Sequence, residues 1–177
     1  MRQEVIVIKK AGEEKVKRHL VDDGELIVVI KAEEEKEYVV EVEVKAKRDK
    51  VKGKVMVVGV VSNGADLKVR GLVGVGKKVK GAEMRLEMRL ILMDKKSRVE
   101  VEPDLEIAVE EVKASHAATV GTIDKEELFY LMSRGLKREE AEKLWLKGWI
   151  EKVVKMIKRG EDKERVVKLL GNFKKND

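Results

Sequence analysis

The side chains with the clearest capacity for chemistry lie in one short stretch, residues 113–123, around a histidine. This stretch reads Lys-Ala-Ser-His-Ala-Ala-Thr-Val-Gly-Thr-Ile, and its His116 is one of only two histidines among 177 residues. A neutral imidazole is a common metal ligand. Ser115 and Thr119 stand close to it in sequence as candidate hydrogen-bond donors, although hydroxyls at a strand end commonly bond the local backbone. A structural histidine hydrogen-bonded to backbone is the alternative interpretation.

Other motifs that resemble catalytic or nucleotide-binding sites lack residues that such sites require. Residues 71–78 approximate a phosphate-binding loop, but Lys78 stands where a Ser or Thr hydroxyl would hold magnesium. An alternating strand pattern follows instead of a helix, so no helix N-terminus is predicted to bind phosphate. Residues 33–37 are a charged turn, and no serine or cysteine nucleophile is placed beside a base. We therefore expect no enzymatic activity.

Two regimes of hydrophobic periodicity meet near Thr122. In residues 40–47 apolar side chains alternate with charged ones, a period of two that places every apolar side chain on one face of a strand. The same alternation recurs in residues 84–90. Fully apolar runs such as 55–61 fit strands buried on both faces. Considered alone, short strands at this spacing indicate a sandwich or a barrel.

The second regime is helical. Asp124 and Glu127 have the spacing of a capping box and predict a helix that ends at Gly135. The spacing of apolar residues predicts a second helix over about residues 138–159, and Gly160 separates it from a short last helix. The two tryptophans of the second helix are interpreted as packing this hairpin onto itself, with a partner groove as the alternative.

Residues 103–141 resemble the C-terminal part of the SufB/SufD family, the scaffold proteins of SUF iron–sulfur cluster assembly. The motifs that carry the resemblance are Ser-His-Ala-Ala-Thr at 115–119, Leu-Phe-Tyr at 128–130 and Arg-Gly-Leu at 134–136. The resemblance implies a mainly β protein, with a parallel β-helix (solenoid) over residues 1–122 and a small C-terminal α-helical segment over 123–177.

Family members also carry an N-terminal helical region and a longer solenoid, so the resemblance is to an N-terminally shortened member. A solenoid must cover its terminal coils, because they expose unpaired backbone and apolar interior. We expect the helices to cap one end of the solenoid and a second chain to cover the other. The protein is therefore expected to be an oligomer.

The resemblance implies a non-enzymatic scaffold subunit that acts with a SufC-type ABC ATPase. His116 aligns with a family histidine implicated at the interface between SufD-like and SufB-like subunits, so it is the implied metal ligand, with Ser115 and Thr119 beside it. Clusters take four ligands, mostly thiolates, and this chain has no cysteine. The resemblance thus favours a SufD-like subunit that binds no cofactor alone and shares a transient cluster with a Cys-bearing, SufB-like partner.

The family's second surface is the helical segment that docks the ATPase. The residues of this chain implied to bind it are Leu128, Phe129, Tyr130, Arg134, Gly135 and Ala141. Phe129 and Tyr130 are adjacent and point about 100° apart on a helix. We therefore expect one ring to serve the core and the other a partner.

Composition bounds the remaining possibilities. Charged residues make up 42% of the chain, and this Lys/Glu-rich composition is typical of a thermophilic protein. The net charge of +6 comes from basic residues interspersed with glutamates, so an ion-pair surface is favoured over nucleic-acid binding. A bilayer-spanning run and a signal-peptide core are both missing from the sequence, and a cytoplasmic protein without a membrane partner is expected. The alternative function is a structural homodimeric β-helix that has lost cluster chemistry.

Overall fold

A computed structural model describes residues 1–171, and within them nine strands precede three helices. The strands are β1 Arg2–Ile8, β2 Gly12–Leu20, β3 Gly24–Ala32, β4 Glu37–Ala46, β5 Lys52–Val61, β6 Asp66–Val75, β7 Glu83–Leu92, β8 Arg98–Ile107 and β9 Lys113–Thr122. The helices are α1 Lys125–Ser133, α2 Arg138–Lys155 and α3 Gly160–Gly171.

The strands form two parallel sheets that the chain visits alternately. The odd-numbered strands make a five-stranded sheet in the order β1-β3-β5-β7-β9, and the even-numbered strands make a four-stranded sheet in the order β2-β4-β6-β8. Each strand pairs with the strand two places along the chain, so two strands complete one turn. The predicted parallel β-helix followed by helices is confirmed. The sandwich or barrel that periodicity alone indicated is not the architecture.

The space between the two sheets is filled by rows of apolar side chains from successive turns. Leu26, Val55 and Leu86 occupy one such row on β3, β5 and β7, because the register pairs them directly. The alternation predicted for β4 and β7 holds, and the inward residues of both strands are buried. Full burial of each such side chain contributes about 1.5–3 kcal/mol. The rows therefore supply the main stabilisation of the solenoid.

Helices α2 and α3 pack on the outer face of the five-stranded sheet. Strand β3 is buried along its whole length, which leaves an apolar outer face that the neighbouring turns cannot cover. The contacts come from these side chains: Leu146, Ile150, Val153, Ile157, Val166 and Leu170 on the helices, and Val5, Ile27, Val29, Met56, Val58 and Val60 on the sheet. The prediction that the helices cap an end of the solenoid is wrong. They cover this apolar outer face instead.

Gln3 of β1 forms hydrogen bonds with the residues that follow α2. Its side-chain amide donates to the backbone oxygen of Met156 at 2.9 Å and accepts from the backbone N–H of Lys158 at 2.7 Å. The same amide donates to the carboxylate of Glu25 on β3 at 2.8 Å. The helical segment thus runs back along the sheet, away from β9, and leaves the last turn uncovered.

The helix ends follow the local signals with two differences. Asp124 accepts hydrogen bonds from the backbone N–H groups of Glu126 and Glu127, and Gly135 has a φ of +97°, as a left-handed stop requires. The carboxylate of Glu127, however, accepts from the indole N–H of Trp145 and so joins α1 to α2 instead of completing a capping box. Helix α2 also ends at Lys155, earlier than predicted.

The glycine-rich stretch that resembled a phosphate loop belongs to the solenoid. Residues 71–75 lie within β6, and a turn after them leads to β7 without an intervening helix. The prediction that a strand, and not a helix, follows this stretch is confirmed.

Two glycines test the close packing of the turns. A Cβ added at Gly59 would lie 2.8 Å from Cδ2 of Leu90 and 3.2 Å from the backbone oxygen of Ile30, whereas one added at Gly148 would meet nothing within 4 Å. We expect Gly59→Ala to lower the free energy of unfolding by about 1–3 kcal/mol through overpacking. Gly148→Ala, in an exposed helix position, should raise it by about 0.5–1 kcal/mol.

Urea denaturation of both variants beside the wild type measures these differences. A Gly59→Ala variant as stable as the wild type would contradict the close approach of neighbouring turns at this position.

Candidate functional site

The two ends of the solenoid differ in chemistry. At the first turn, one inward row of each sheet ends in a charge: Glu4 is in register with Leu26 of the core, and Arg18 with Val44. The guanidinium Nε of Arg18 donates to Glu4 at 2.8 Å. This hydrogen bond lowers the pKa of Glu4 and raises the pKa of Arg18. An ion pair therefore terminates these two rows, while buried apolar side chains such as Ile8 and Val16 terminate others.

At the last turn, the inward rows end in apolar side chains that remain in contact with solvent. Leu105 and Ile107 of β8 are each 38% exposed, and Val120 of β9 is 43% exposed. On β6, the residues in register with Leu105 and Ile107 are Val73 and Val75, and both are fully buried. The interior of the solenoid is therefore open at the end formed by β8 and β9.

His116 lies at this open end on the inner face of β9. The register pairs it with Leu86, a core residue, so the imidazole continues an interior row. The residue is exposed because no further turn covers it among residues 1–171. Within the described part of the chain its side chain takes part in no hydrogen bond or ion pair, so nothing there supports the alternative of a histidine bound to backbone. Both ring nitrogens are available for ligation or proton transfer.

Ser115 and Thr119 lie on the other face of the same strand. They are in register with Arg85 and Arg89 on the outer face of β7, because successive residues of a strand point to opposite sides. The structure thus separates the two hydroxyls from the inward face that carries His116. Their contribution to a cluster interface stays a prediction.

Strand β9 offers its outer edge for pairing. No described strand pairs with this edge, and residues 114–122 include no carboxylate, lysine or arginine. Natural proteins usually protect a free edge with charges, prolines or a covering element, and strand addition uses edges without such protection. We call this exposed edge strand and the open apolar interior beside it the open end.

Helix α1 carries a second exposed surface. It has no buried residue, and the rings of Phe129 and Tyr130 are 72% and 56% exposed. The guanidinium of Arg134 lies 5.2 Å from the centre of the Tyr130 ring and donates to its hydroxyl at 3.2 Å. The prediction that one of the two rings serves the core is wrong. The half-buried residues Leu128 and Leu131 provide the inner side of α1 instead.

The remaining residues predicted to bind the ATPase have structural positions. Gly135 holds the left-handed conformation that ends α1, and Ala141 is fully buried on α2. A buried methyl group orients α2 and does not itself present a contact surface. Of the six predicted residues, Phe129, Tyr130 and Arg134 are therefore the ones with exposed side chains.

The described residues contain no complete metal site. Between residues 1 and 171, no three His, Cys, Asp or Glu side chains are grouped so that they could hold a metal ion. His116 could supply one ligand of a site whose other ligands come from elsewhere. A cleft of about 260 Å³ near the first turn is lined by both signs of charge, including Arg2, Glu4 and Asp22. None of the described helices is long and apolar enough to span a bilayer.

Comparison with known proteins identifies the family of this chain. Residues 22–149 match the family model described as SUF system FeS cluster assembly, SufBD core domain. The chain belongs to this family.

Two relatives indicate the extent of the likeness. The chain is 36% identical over 95 residues to an iron–sulfur cluster assembly SufBD family protein of Staphylococcus aureus (strain USA300), and 37% identical over 94 residues to the iron–sulfur cluster assembly protein SufB of Bacillus subtilis (strain 168). These matches cover 54% and 53% of this chain but only 20% of each relative. The chain therefore corresponds to a small part of these SufBD proteins.

The openness of the last turn predicts unequal costs for equal truncations. Leu67 of β6 is fully buried, whereas Leu105 of β8 is partly in water. We expect Leu67→Ala to lower the free energy of unfolding by about 2–5 kcal/mol. Leu105→Ala should lower it by only about 1 kcal/mol, because less apolar area is removed from water.

Urea denaturation of dilute protein measures both costs. Equal costs for the two truncations in the dilute chain would contradict an open end.

Proposed function

We propose that this chain is a SufD-like, non-enzymatic scaffold subunit of iron–sulfur cluster assembly. In this function the open end meets a Cys-bearing, SufB-like subunit, and His116 donates an imidazole nitrogen to the nascent cluster, which is the cargo of the assembly. Membership of the SufBD family supports a function in the SUF system of iron–sulfur cluster assembly. The subunit type, the partners and the role of His116 are what the resemblance to SufD-like subunits implies, and the lack of cysteine is consistent with them.

The observation that carries the proposal is an unengaged imidazole at an open apolar end. His116 is exposed and continues the interior row that contains Leu86. A cluster normally takes four ligands, mostly thiolates, and mixed Cys/His ligation is chemically sound. Because the chain has no cysteine, the thiolates must come from the protein that covers this end.

The surface of α1 is proposed to bind an ABC-type SUF ATPase. Two exposed aromatic rings and an arginine on one short helix are the residue types that dominate binding energies at protein interfaces. The cation–π contact between Arg134 and Tyr130 holds both side chains in one arrangement before binding. Both members of the pair are exposed, so they can contact a partner without unfolding α1.

Substitution of His116 tests the cluster role. The wild-type chain and His116→Ala are each mixed anaerobically with a Cys-bearing SufB-type subunit, ferrous iron and sulfide, and visible absorbance reports the cluster. We expect His116→Ala to retain the cluster at least about tenfold less well against a chelator, the magnitude typical of a disturbed ligand set. The remaining thiolates would hold it less completely.

His19→Ala is the matched control, because His19 is exposed on β2 at the opposite end of the solenoid. This variant should behave as the wild type. If the wild type and His116→Ala yield equally stable clusters, or if neither yields any, the structural β-helix protein without cluster chemistry becomes the better assignment.

Substitutions on α1 test the ATPase surface. We expect Tyr130→Ala and Arg134→Glu to weaken binding of the cognate ABC-type ATPase at least about tenfold, as for exposed aromatic and arginine anchors. Neither residue is buried, so both variants should fold with the thermal stability of the wild type. Isothermal titration calorimetry measures the affinities.

Val167→Ala, a truncation of a similarly exposed apolar residue on α3, serves as the control and should bind normally. Folded Tyr130→Ala and Arg134→Glu variants that bind the ATPase as tightly as the wild type would refute this surface.

A further inference from the structure

The second free edge at the open end carries a continuous row of carboxylates. Strand β8 is the edge of the four-stranded sheet, and its inward positions are the apolar residues of the open end. Its outward positions alternate with these. Arg98 is the first of them, and the four that follow are all acidic: Glu100, Glu102, Asp104 and Glu106. The strand thus presents an apolar inner side and a negative outer side along one unpaired edge.

The outward side chains of the four-stranded sheet form rows whose charge alternates in sign from strand to strand. The acidic row of β8 is the last of these rows. At the central outward positions, β2 carries lysines, β4 glutamates and β6 a lysine and an arginine. The contacts across these rows are Lys15–Glu41 at 3.1 Å, Lys17–Glu43 at 2.9 Å, Lys68–Glu100 at 3.6 Å and Arg70–Asp104 at 2.8 Å. Residues at the row ends, Glu13, Lys45 and Asp66, depart from the alternation. Arg98, at the start of β8 and in register with Asp66, departs from it in the same way, so the acidic row of β8 covers residues 100–106.

The carboxylates of β8 have basic neighbours on one side only. Asp104 accepts from Arg70 and raises the pKa of that arginine, and Glu106 contacts Lys45 at 2.8 Å. On the other side of β8 no described strand follows. Opposite charges on adjacent strands stabilise pairing and like charges destabilise it, so a strand added here continues the series if its outward row is basic.

A second copy of this chain does not supply such a row in a matching way. Antiparallel pairing of β8 with itself, centred on Pro103, sets Glu100 against Glu106 and Glu102 against Asp104. Pairing of β8 with a second β9 offers only one cation, Lys113, among uncharged residues.

Head-to-tail stacking of two copies fails for a different reason. The lysines of β2 would suit the acidic row of β8, but the same stacking sets the ion pair of Glu4 and Arg18 against the apolar open end. Desolvation of charges against apolar surface is unfavourable.

We propose that the acidic row of β8 selects the partner at the open end. The partner is a chain of different sequence whose strand beside β8 has lysine or arginine at alternate positions and apolar residues between them. The row also acts against symmetric pairing of two copies through β8. This inference rests on the proposed function only for the use of the open end as a subunit interface.

A double charge reversal makes the row complementary to itself. In Glu100→Lys/Glu102→Lys, the same antiparallel pairing sets each lysine against Glu106 or Asp104 of a second copy. We expect this variant to dimerise at low ionic strength with a dissociation constant at least about tenfold below that of the wild type. Sedimentation equilibrium measures both constants. At about 1 M salt, where the screening length is about 3 Å, the difference should vanish.

Glu151→Lys/Glu164→Lys is the control, because it changes the net charge equally at exposed positions of α2 and α3. It should behave as the wild type. Should the reversal variant fail to fold, Glu100→Gln/Glu102→Gln/Asp104→Asn/Glu106→Gln removes the repulsion without adding cations, and it should also self-associate more tightly than the wild type.

A wild type that dimerises through this end as tightly as these variants, or folded variants that stay as monomeric as the wild type, would overturn the inference. These readings do not depend on cluster chemistry. Failure of cluster assembly with unchanged charge effects would instead contradict the proposed function alone.

Discussion

The structure depends on one constraint: each strand can satisfy its backbone only by pairing with the strand two places along the chain. The N–H and C=O groups of a strand point to both sides within the sheet. The inner turns of this solenoid are therefore satisfied on both edges, while β1, β2, β8 and β9 keep one edge unpaired within residues 1–171. A stack of turns that does not close on itself always has two such ends. At each end, the side chains must either tolerate water or be covered by another element.

The two ends of the solenoid differ in the polarity of their inward residues. The inward positions of the first turn include Arg18 and Glu4, whose ion pair tolerates water. The inward positions of the last turn include Leu105 and Val120, which lose stabilisation while they contact water. The apolar end also carries β9, an edge strand whose one charged residue is Lys113 at its start. Apolar surface and unprotected edge at the same place are typical of an interface.

Local patterns predicted the elements of the structure better than their packing. Alternation in residues 40–47 and 84–90 correctly gave the inward faces of β4 and β7, because a period of two is a property of neighbouring residues. The sequence of β3, which has apolar residues on both faces, indicated only that its outer face is buried. That α2 and α3 bury it, and do not cap an end, follows from contacts such as Val29 with the helices.

The candidate site was predictable in position but not in orientation. The motif at 115–119 pointed to His116, yet its inward direction depends on the register with Leu86, which the lengths of the intervening turns determine. The same register separates Ser115 and Thr119 from it. For α1, the exposure of both Phe129 and Tyr130 depends on how the helix sits on its neighbours, and residue spacing contains no information about that.

The end of a solenoid is the position where an imidazole can be both held and available. In the row of Leu86, one turn earlier, a histidine would be fully buried and desolvated. At position 116 its strand is fixed on one side by the β7 ladder, while the ring remains in contact with solvent. Preorganised ligands on rigid elements hold metals best. In the proposed function, the missing thiolates make the ligand set incomplete until a second chain arrives, so the meeting of two chains itself creates the site.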